Sequence, residues 1–302
     1  MKRKRNVVLG LLIAASLLFT IGCNLTGSDV NGNGSGTTPT AVTFESADAT
    51  DGTSGTVDST GLTLTFSVDP TTLAASDITV TGATKGALSG TGTTRSLAIS
   101  DITVGNGETV SVEIASPSGF TLTGSPQTAV VYRELYIGMT YQGGVIAYIF
   151  QSGDPGYVSS ETHGLIAAPA DQSTGIGWIS PWSTQDTWVP GGTGTVLGTG
   201  SANTDNIIAQ AVAAGNSTPS SYAAGLARAH EGGGYNDWYL PSQDELNKLY
   251  LNRAAVGGFA DHYYWSSSDF DDLFVWAQHF DTSLQATDYK SVNFRVRAVR
   301  AF

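Results

Sequence analysis

A single cysteine, Cys23, narrows what this 302-residue chain can become more than any other feature. One thiol cannot close an internal disulfide or build a multi-cysteine zinc site, so the fold must be held by buried apolar surface and hydrogen bonds. The same cysteine closes a leader with a basic start, Lys2 to Arg5, and an apolar run from Val7 to Ile21. That run is too short for a comfortable membrane span and ends on small residues, the pattern of an export signal.

Thr20-Ile21-Gly22-Cys23 resembles the bacterial lipoprotein lipobox, in which the cysteine is lipidated and becomes the mature N-terminus; Leu usually stands where this chain has Thr20. The resemblance implies a signal peptide over residues 1–22 and a palmitate-type acyl anchor on Cys23. The expected partner of that anchor is a lipid membrane. The expected location is the cell envelope, outside the cytoplasm, at the outer membrane or cell surface. Without the four basic leader residues, 14 Lys plus Arg fall to 10 against 26 Asp plus Glu, a formal charge of −16. Such a chain does not seek nucleic acid. With 37 glycines and only 13% charged residues, the composition points to turn-rich β structure rather than a disordered acidic chain. Residues 23–40 are Gly, Ser, Asn and Thr with few apolar side chains, a flexible tether spanning roughly 20–25 Å.

Residues 41–132 alternate apolar and small polar residues in short runs. Leu62–Phe66, Ile78–Val80, Leu97–Ile99, Val110–Ile114 and Ala129–Tyr132 read as strands, with turns at Asp69-Pro70, Gly105-Asn106-Gly107, Pro117-Ser118-Gly119 and Ser125-Pro126. An all-β sandwich of about seven strands is the economical solution. The segment resembles bacterial immunoglobulin-like surface modules; it holds no histidine and just two basic residues, Lys85 and Arg95, so a spacer role is expected.

Residues 133–302 hold all six tryptophans and all four histidines. Tyr141–Phe150 and His163–Ala168 read as strands, and 206–214 and 221–230 as short helices stopped by Gly215 and Gly232–Gly234. Ser242-Gln243-Asp244-Glu245 fits a capping box, followed by Leu246, Leu249 and Tyr250 on one helical face up to Gly257-Gly258. Tyr263–Ser267, Phe274–Phe280 and Phe294–Arg300 then read as strands, with Arg295 and Arg297 sharing a face opposite Phe294 and Val296.

The set Gly234 to Ser242, Asp244-Glu245-Leu246, Tyr264 to Ser267, Trp276 and Arg295 to Arg300 resembles one family, found at the C-terminus of the Legionella collagen-like adhesin. Gln142 to Ile146, Gly164 to Pro169 and Asp171 to Gly175 match its early strands. The order of motifs is also similar to the wider C-type-lectin-like superfamily, which implies an α+β domain after the sandwich.

No zinc-protease helix motif, phosphate loop or nucleophile elbow is present, and formylglycine-type oxidase chemistry lacks its cysteines, so no catalytic residue is assigned and the chain is not expected to be an enzyme. Asp269, Asp271 and Asp272 form the one acidic loop where calcium is considered, with no other cofactor expected. Trp178, Trp182 and Trp188 lie in a Gly/Pro/Ser/Thr-rich stretch and are the candidates for stacking on sugar faces; Trp238, Trp265 and Trp276 are expected in the core. Arg295, Arg297 and Arg300 are the alternative set, for an anionic ligand. The expectation is a lipid-anchored envelope protein with a C-terminal ligand-binding or adhesion domain, for glycan or a surface protein. The alternatives are an envelope polysaccharide hydrolase and a structural surface protein with no small ligand.

Overall fold

The computed structural model describes residues 38–179 and 194–302. Eight strands make the first module: β1 (Thr40–Thr50), β2 (Gly61–Phe66), β3 (Ile78–Thr81), β4 (Thr84–Ser89), β5 (Thr94–Ser100), β6 (Thr109–Ile114), β7 (Phe120–Thr123) and β8 (Gln127–Val130). They form two sheets, ordered β4-β5-β2-β1-β7 and β3-β6-β8. Strict alternation explains why they face each other. In β2 every second residue, Leu62, Leu64 and Phe66, is buried, and in β6 the same holds for Val110, Val112 and Ile114. These side chains meet Val42, Phe44, Ile78, Leu97 and Ile99 in one cluster. The expected strands are present. β1, β4 and β7 bring the count to eight; the Thr, Lys, Gly and Ser residues of β4 carry little alternation, and β7 is only four residues long.

The second module contains β9 (Thr140–Tyr141), β10 (Gly144–Ile149), β11 (Gly164–Ala167), β12 (Ser173–Ile176), α1 (Gly200–Ala213), α2 (Ala223–Arg228), α3 (Gln243–Leu251), α4 (Arg253–Val256), β13 (Tyr263–Asp269), β14 (Phe274–His279), β15 (Gln285–Tyr289), β16 (Phe294–Val296) and β17 (Val299–Ala301). Its sheets are ordered β17-β11-β10-β9 and β12-β16-β13-β14-β15. Ile146, Ile166, Trp178, Ile207, Trp238, Leu240, Trp265 and Val296 fill the core between sheets and helices.

The capping box forms as the sequence requires. Ser242 Oγ accepts from the Glu245 amide at 3.3 Å, and Glu245 Oε2 accepts from the Ser242 amide at 2.7 Å. Leu246 and Leu249 are buried below it. Several element boundaries differ from expectation, among them a break at Gln142 and Gly143 that divides the run Tyr141–Phe150 into β9 and β10. Helix α1 begins at Gly200, six residues early, and only glycine fits its first position, where a Cβ would strike Glu245 and Tyr239. The helix after Ser242 breaks at Asn252, whose side-chain amide donates to the Ala147 carbonyl at 2.9 Å. The run Phe294–Arg300 divides into β16 and β17, which join different sheets, with Arg297 and Ala298 between them.

The modules share no core residue: Val131 closes the first cluster and Leu135 opens the second. Hydrogen bonds join them. The Glu134 amide donates to Asp58 Oδ1 at 2.8 Å, and the Leu135 amide donates to the Gly55 carbonyl at 3.0 Å. Asn106 Oδ1 accepts from both the Gly55 and Arg133 amides, at 3.2 and 3.1 Å. Gly55 has φ of +72°, and a Cβ there would lie 2.1 Å from Thr162 Oγ1 of the second module. Only glycine suits that position on both counts.

Candidate functional site: an aromatic face on the C-terminal sheet

Strand alternation in β14 sends Val275 and Ala277 into the core, leaving Phe274 and Trp276 half-buried on the opposite face. Across the ladder Phe274 pairs with Tyr289 and Trp276 with Thr287. The rings of Phe274 and Tyr289 lie 4.6 Å apart, and Phe270 from the β13–β14 turn meets Trp276 edge-on at 5.7 Å. Phe270 is 60% exposed, Tyr289 52% and Leu273 40%. Beside them is a pocket of about 220 Å³ lined by Ile179, Leu273, Tyr289, Lys290 and Ser291. Its size suits one ring or one side chain rather than a drug-sized molecule. Flat apolar rings rimmed by carboxylates of the 269–272 turn and the Ser291 hydroxyl are a surface on which a sugar face can stack while its hydroxyls find partners.

The aromatic face lies on β14 and not in the irregular stretch that holds Trp178, Trp182 and Trp188. Trp178 is fully buried and its indole N–H donates to the Ser266 carbonyl at 2.8 Å, so the expectation of an exposed ring there is corrected: the backbone acceptor draws the indole into the core. Trp182 and Trp188 lie outside the described residues. Trp238 and Trp265 are core residues as expected, whereas Trp276 is not fully enclosed. The signal that would have found it is period two: in Phe274-Val-Trp-Ala the tryptophan shares a face with Phe274, opposite the Val275 that had to be buried.

The arginine set does not present a basic surface. Arg295 Nη1 and Arg297 Nη2 contact the two oxygens of Asp171 at 2.9 and 2.7 Å, so these arginines do converge on one side of β16. Arg297 also donates to the carbonyls of Ala168 and Gly258, and its side chain has no exposed surface. Arg300 donates to Asp237 and Gln142 and lies 3.7 Å over the Tyr235 ring. The anionic-ligand assignment is therefore corrected, because each guanidinium is already paired and committed to the fold.

The acidic loop departs from a calcium site in the same way. Asp271 Oδ1 accepts from the Leu273 and Phe274 amides, both at 2.8 Å, and Asp269 Oδ2 lies 4.0 Å from the Lys290 ammonium. Among the described residues no group of three or more His, Cys, Asp and Glu is arranged to hold a metal ion. A cation there would share Asp269 with a lysine, which opposes binding.

Two further pockets border the module. One, of about 330 Å³, is lined by Phe150, Ser201, Asp237, Tyr239 and Glu245 among others, and brings two carboxyls together. Burial pushes the Glu245 carboxyl above its ordinary value of 4.5. Its oxygens nevertheless accept from the Gly198 amide, the Ser242 amide and the Tyr239 hydroxyl, while Asp237 is held by Arg300. The other, about 300 Å³, lies between the modules, with Asn106, Glu108, Arg133, Tyr141 and Tyr235 on its walls.

Residues 169–300 match the family model of the Lcl C-terminal domain. The match spans β12 to β17 and therefore the whole aromatic face. No curated protein matches the chain. Among solved structures, a fimbrial protein from Bacteroides ovatus ATCC 8483 is similar at a TM-score of 0.40 and 10% identity, over 86% of this chain and 70% of that one. A likeness at that level carries no argument about fold or function.

Proposed function

We propose that this protein is an adhesin-like component of the cell envelope, held to a membrane by acylated Cys23, whose C-terminal domain binds a neutral glycan or a glycan-bearing surface protein. The observation that carries the reading is the exposed aromatic face formed by Phe270, Phe274, Trp276 and Tyr289 within the segment matching the Lcl C-terminal domain. In this reading the first module is an immunoglobulin-like stalk and the second a C-type-lectin-like head. Residues 133–302 carry 8 Lys plus Arg against 16 Asp plus Glu, a formal charge of −8, so long-range attraction favours a neutral ligand over a sulfated or phosphorylated one.

The test is titration of the full chain with neutral and anionic oligosaccharides. Trp276→Ala is expected to weaken neutral binding by about tenfold with little dependence on salt, since stacking exchanges no counterions. Binding that survives Trp276→Ala and Tyr289→Ala but collapses with salt would defeat the proposal.

The hydrolase reading draws on Asp237 and Glu245 sharing a pocket. A loss of polysaccharide cleavage in Glu245→Gln, with the fold retained, would favour it. The hydrogen bonds already made by both carboxyls favour a structural role.

A further inference from the structure

Lys290 and Asp269 stand on either side of the start of β14. Asp269 ends β13 opposite Val275, and Lys290 follows β15, its amide donating to the Leu273 carbonyl at 3.0 Å. Their backbones are two strand spacings apart, about 10 Å. The long lysine chain closes that gap beneath the sheet, on the side of buried Trp178. Its side chain is 3% exposed and that of Asp269 10%. Nζ lies 4.0 Å from Asp269 Oδ2 and 5.1 Å from the Trp178 ring centroid, and among the described residues it has no hydrogen-bond partner.

A buried ion pair is stable when close geometry and further hydrogen bonds repay the desolvation of both charges. This ammonium has neither. Burial pushes Lys290 below its ordinary value of 10.5 and Asp269 above its ordinary 3.8, and the nearby Asp271 and Asp272 carboxylates raise Asp269 further while opposing the fall at Lys290. Passing one proton from Nζ to the carboxylate gives a neutral amine beside a neutral carboxylic acid. The dry environment favours that form, and it is the reactive one: an unprotonated amine stands 4.0 Å from an oxygen of the carboxyl group.

We infer that Lys290 and Asp269 condense into an intramolecular amide that ties β13 to β15 across β14. Nζ attacks Asp269 Cγ, the Nζ–Cγ bond forms and one Cγ–Oδ bond breaks. The departing oxygen leaves as water, taking the carboxyl proton and one amine proton. No oxidant, reductant or further reactant takes part. Placing the two groups together in the folded chain supplies the effective concentration, and exclusion of solvent slows the reverse hydrolysis. In a chain whose one cysteine lies in the leader, the amide is a covalent staple that needs no thiol.

Tryptic mapping of the full chain after denaturation decides the matter. No Lys or Arg lies between Arg253 and Lys290, or between Lys290 and Arg295. Unreacted protein therefore yields a fragment 254–290. The amide blocks cleavage at Lys290, so the expected product is a single fragment 254–295, lighter than its sequence mass by one water. Asp269→Ala is expected to restore cleavage at Lys290, and Lys290→Met to give 254–295 with no water lost. A wild-type digest that ends at Lys290, or one that gives 254–295 at its full mass, would overturn the inference. So would the dehydrated fragment persisting in Asp269→Ala. The wild-type digest is decisive by itself if either variant fails to fold.

Discussion

In the sandwich the inward face is almost wholly hydrocarbon, and Ser59 and Arg95 are its only buried polar side chains; the C-terminal domain buries Asn203, Thr204, Asn216, Ser242, Glu245, Ser266, Ser267, Ser268, Gln278, Lys290 and Arg297. The first arrangement is non-directional. Any apolar side chain of the right volume satisfies it, and alternation alone specifies which residues turn inward. The second is directional, since each buried donor or acceptor needs a partner at a set position or it costs free energy. Asp171 shows the difference. One carboxylate accepts from Arg295, Arg297 and the Tyr264 hydroxyl, and so joins the start of β12 to β13 and β16.

The sharpest way to break this contrast is Asp171→Ala, which leaves the fully buried Arg297 guanidinium without its carboxylate. Removing one partner of a buried pair costs about 3–5 kcal/mol, and the loss is expected in the unfolding of the C-terminal domain, read by tryptophan fluorescence because all six tryptophans lie there. Leu64→Ala makes the matching test in the sandwich. A fully buried leucine cut to alanine costs about 2–5 kcal/mol, expected in far-ultraviolet circular dichroism with the fluorescence transition in place. If both variants shifted both signals equally, the two cores would unfold as one and the contrast would be of chemistry only.

Ser242→Ala removes the cap acceptor of α3 and is expected to cost about 1 kcal/mol, measured by denaturant midpoint. A change below about 0.3 kcal/mol would show that the other half of the box, the Glu245 carboxylate on the Ser242 amide, holds the helix start alone.

The smallest expected effect is a pH slope. Burial holds the His230 imidazole below its ordinary value of 6.5. The unfolded chain therefore takes up the proton first. The stability of the neutral ring is full above pH 6.5 and is lost as pH falls from there toward the folded value. His230→Phe is expected to flatten the fall in midpoint between about pH 7 and 5, where the free imidazole titrates. An unchanged slope would move the effect to another group.

The same contrast explains what the sequence discloses. The sandwich was readable because β2, β5 and β6 alternate strictly, and the α3 start because Ser242 and Glu245 are three residues apart. Local periodicity and local hydrogen bonds are written in adjacent residues. The partners of Arg295 and Arg297 are not: Asp171 is over 120 residues away, and nothing in the Phe294–Arg300 run says that its charges will be neutralised. Trp178 was misplaced for that reason, as its indole acceptor is the Ser266 carbonyl, 88 residues on. Trp276 lies among the family motifs and its face is written in the period-two run Phe274-Val-Trp-Ala, whereas its neighbours across the ladder follow only from the register of Trp276 against Thr287.

Gly55 has a consequence for anyone who would cut and rejoin this protein. The hairpin around Thr53 and Val57 comes so close to Thr162 that no larger residue fits, and it also supplies the carbonyl that receives Leu135. The sandwich is thus not an exchangeable bead. A chimera that grafts residues 133–302 onto a different sandwich loses the surface against which its first residues are ordered, unless the 53–57 hairpin and Asn106 travel with it. Lengthening the chain with a second sandwich copy is expected to succeed only when the copy retaining Gly55 is placed next to the C-terminal module.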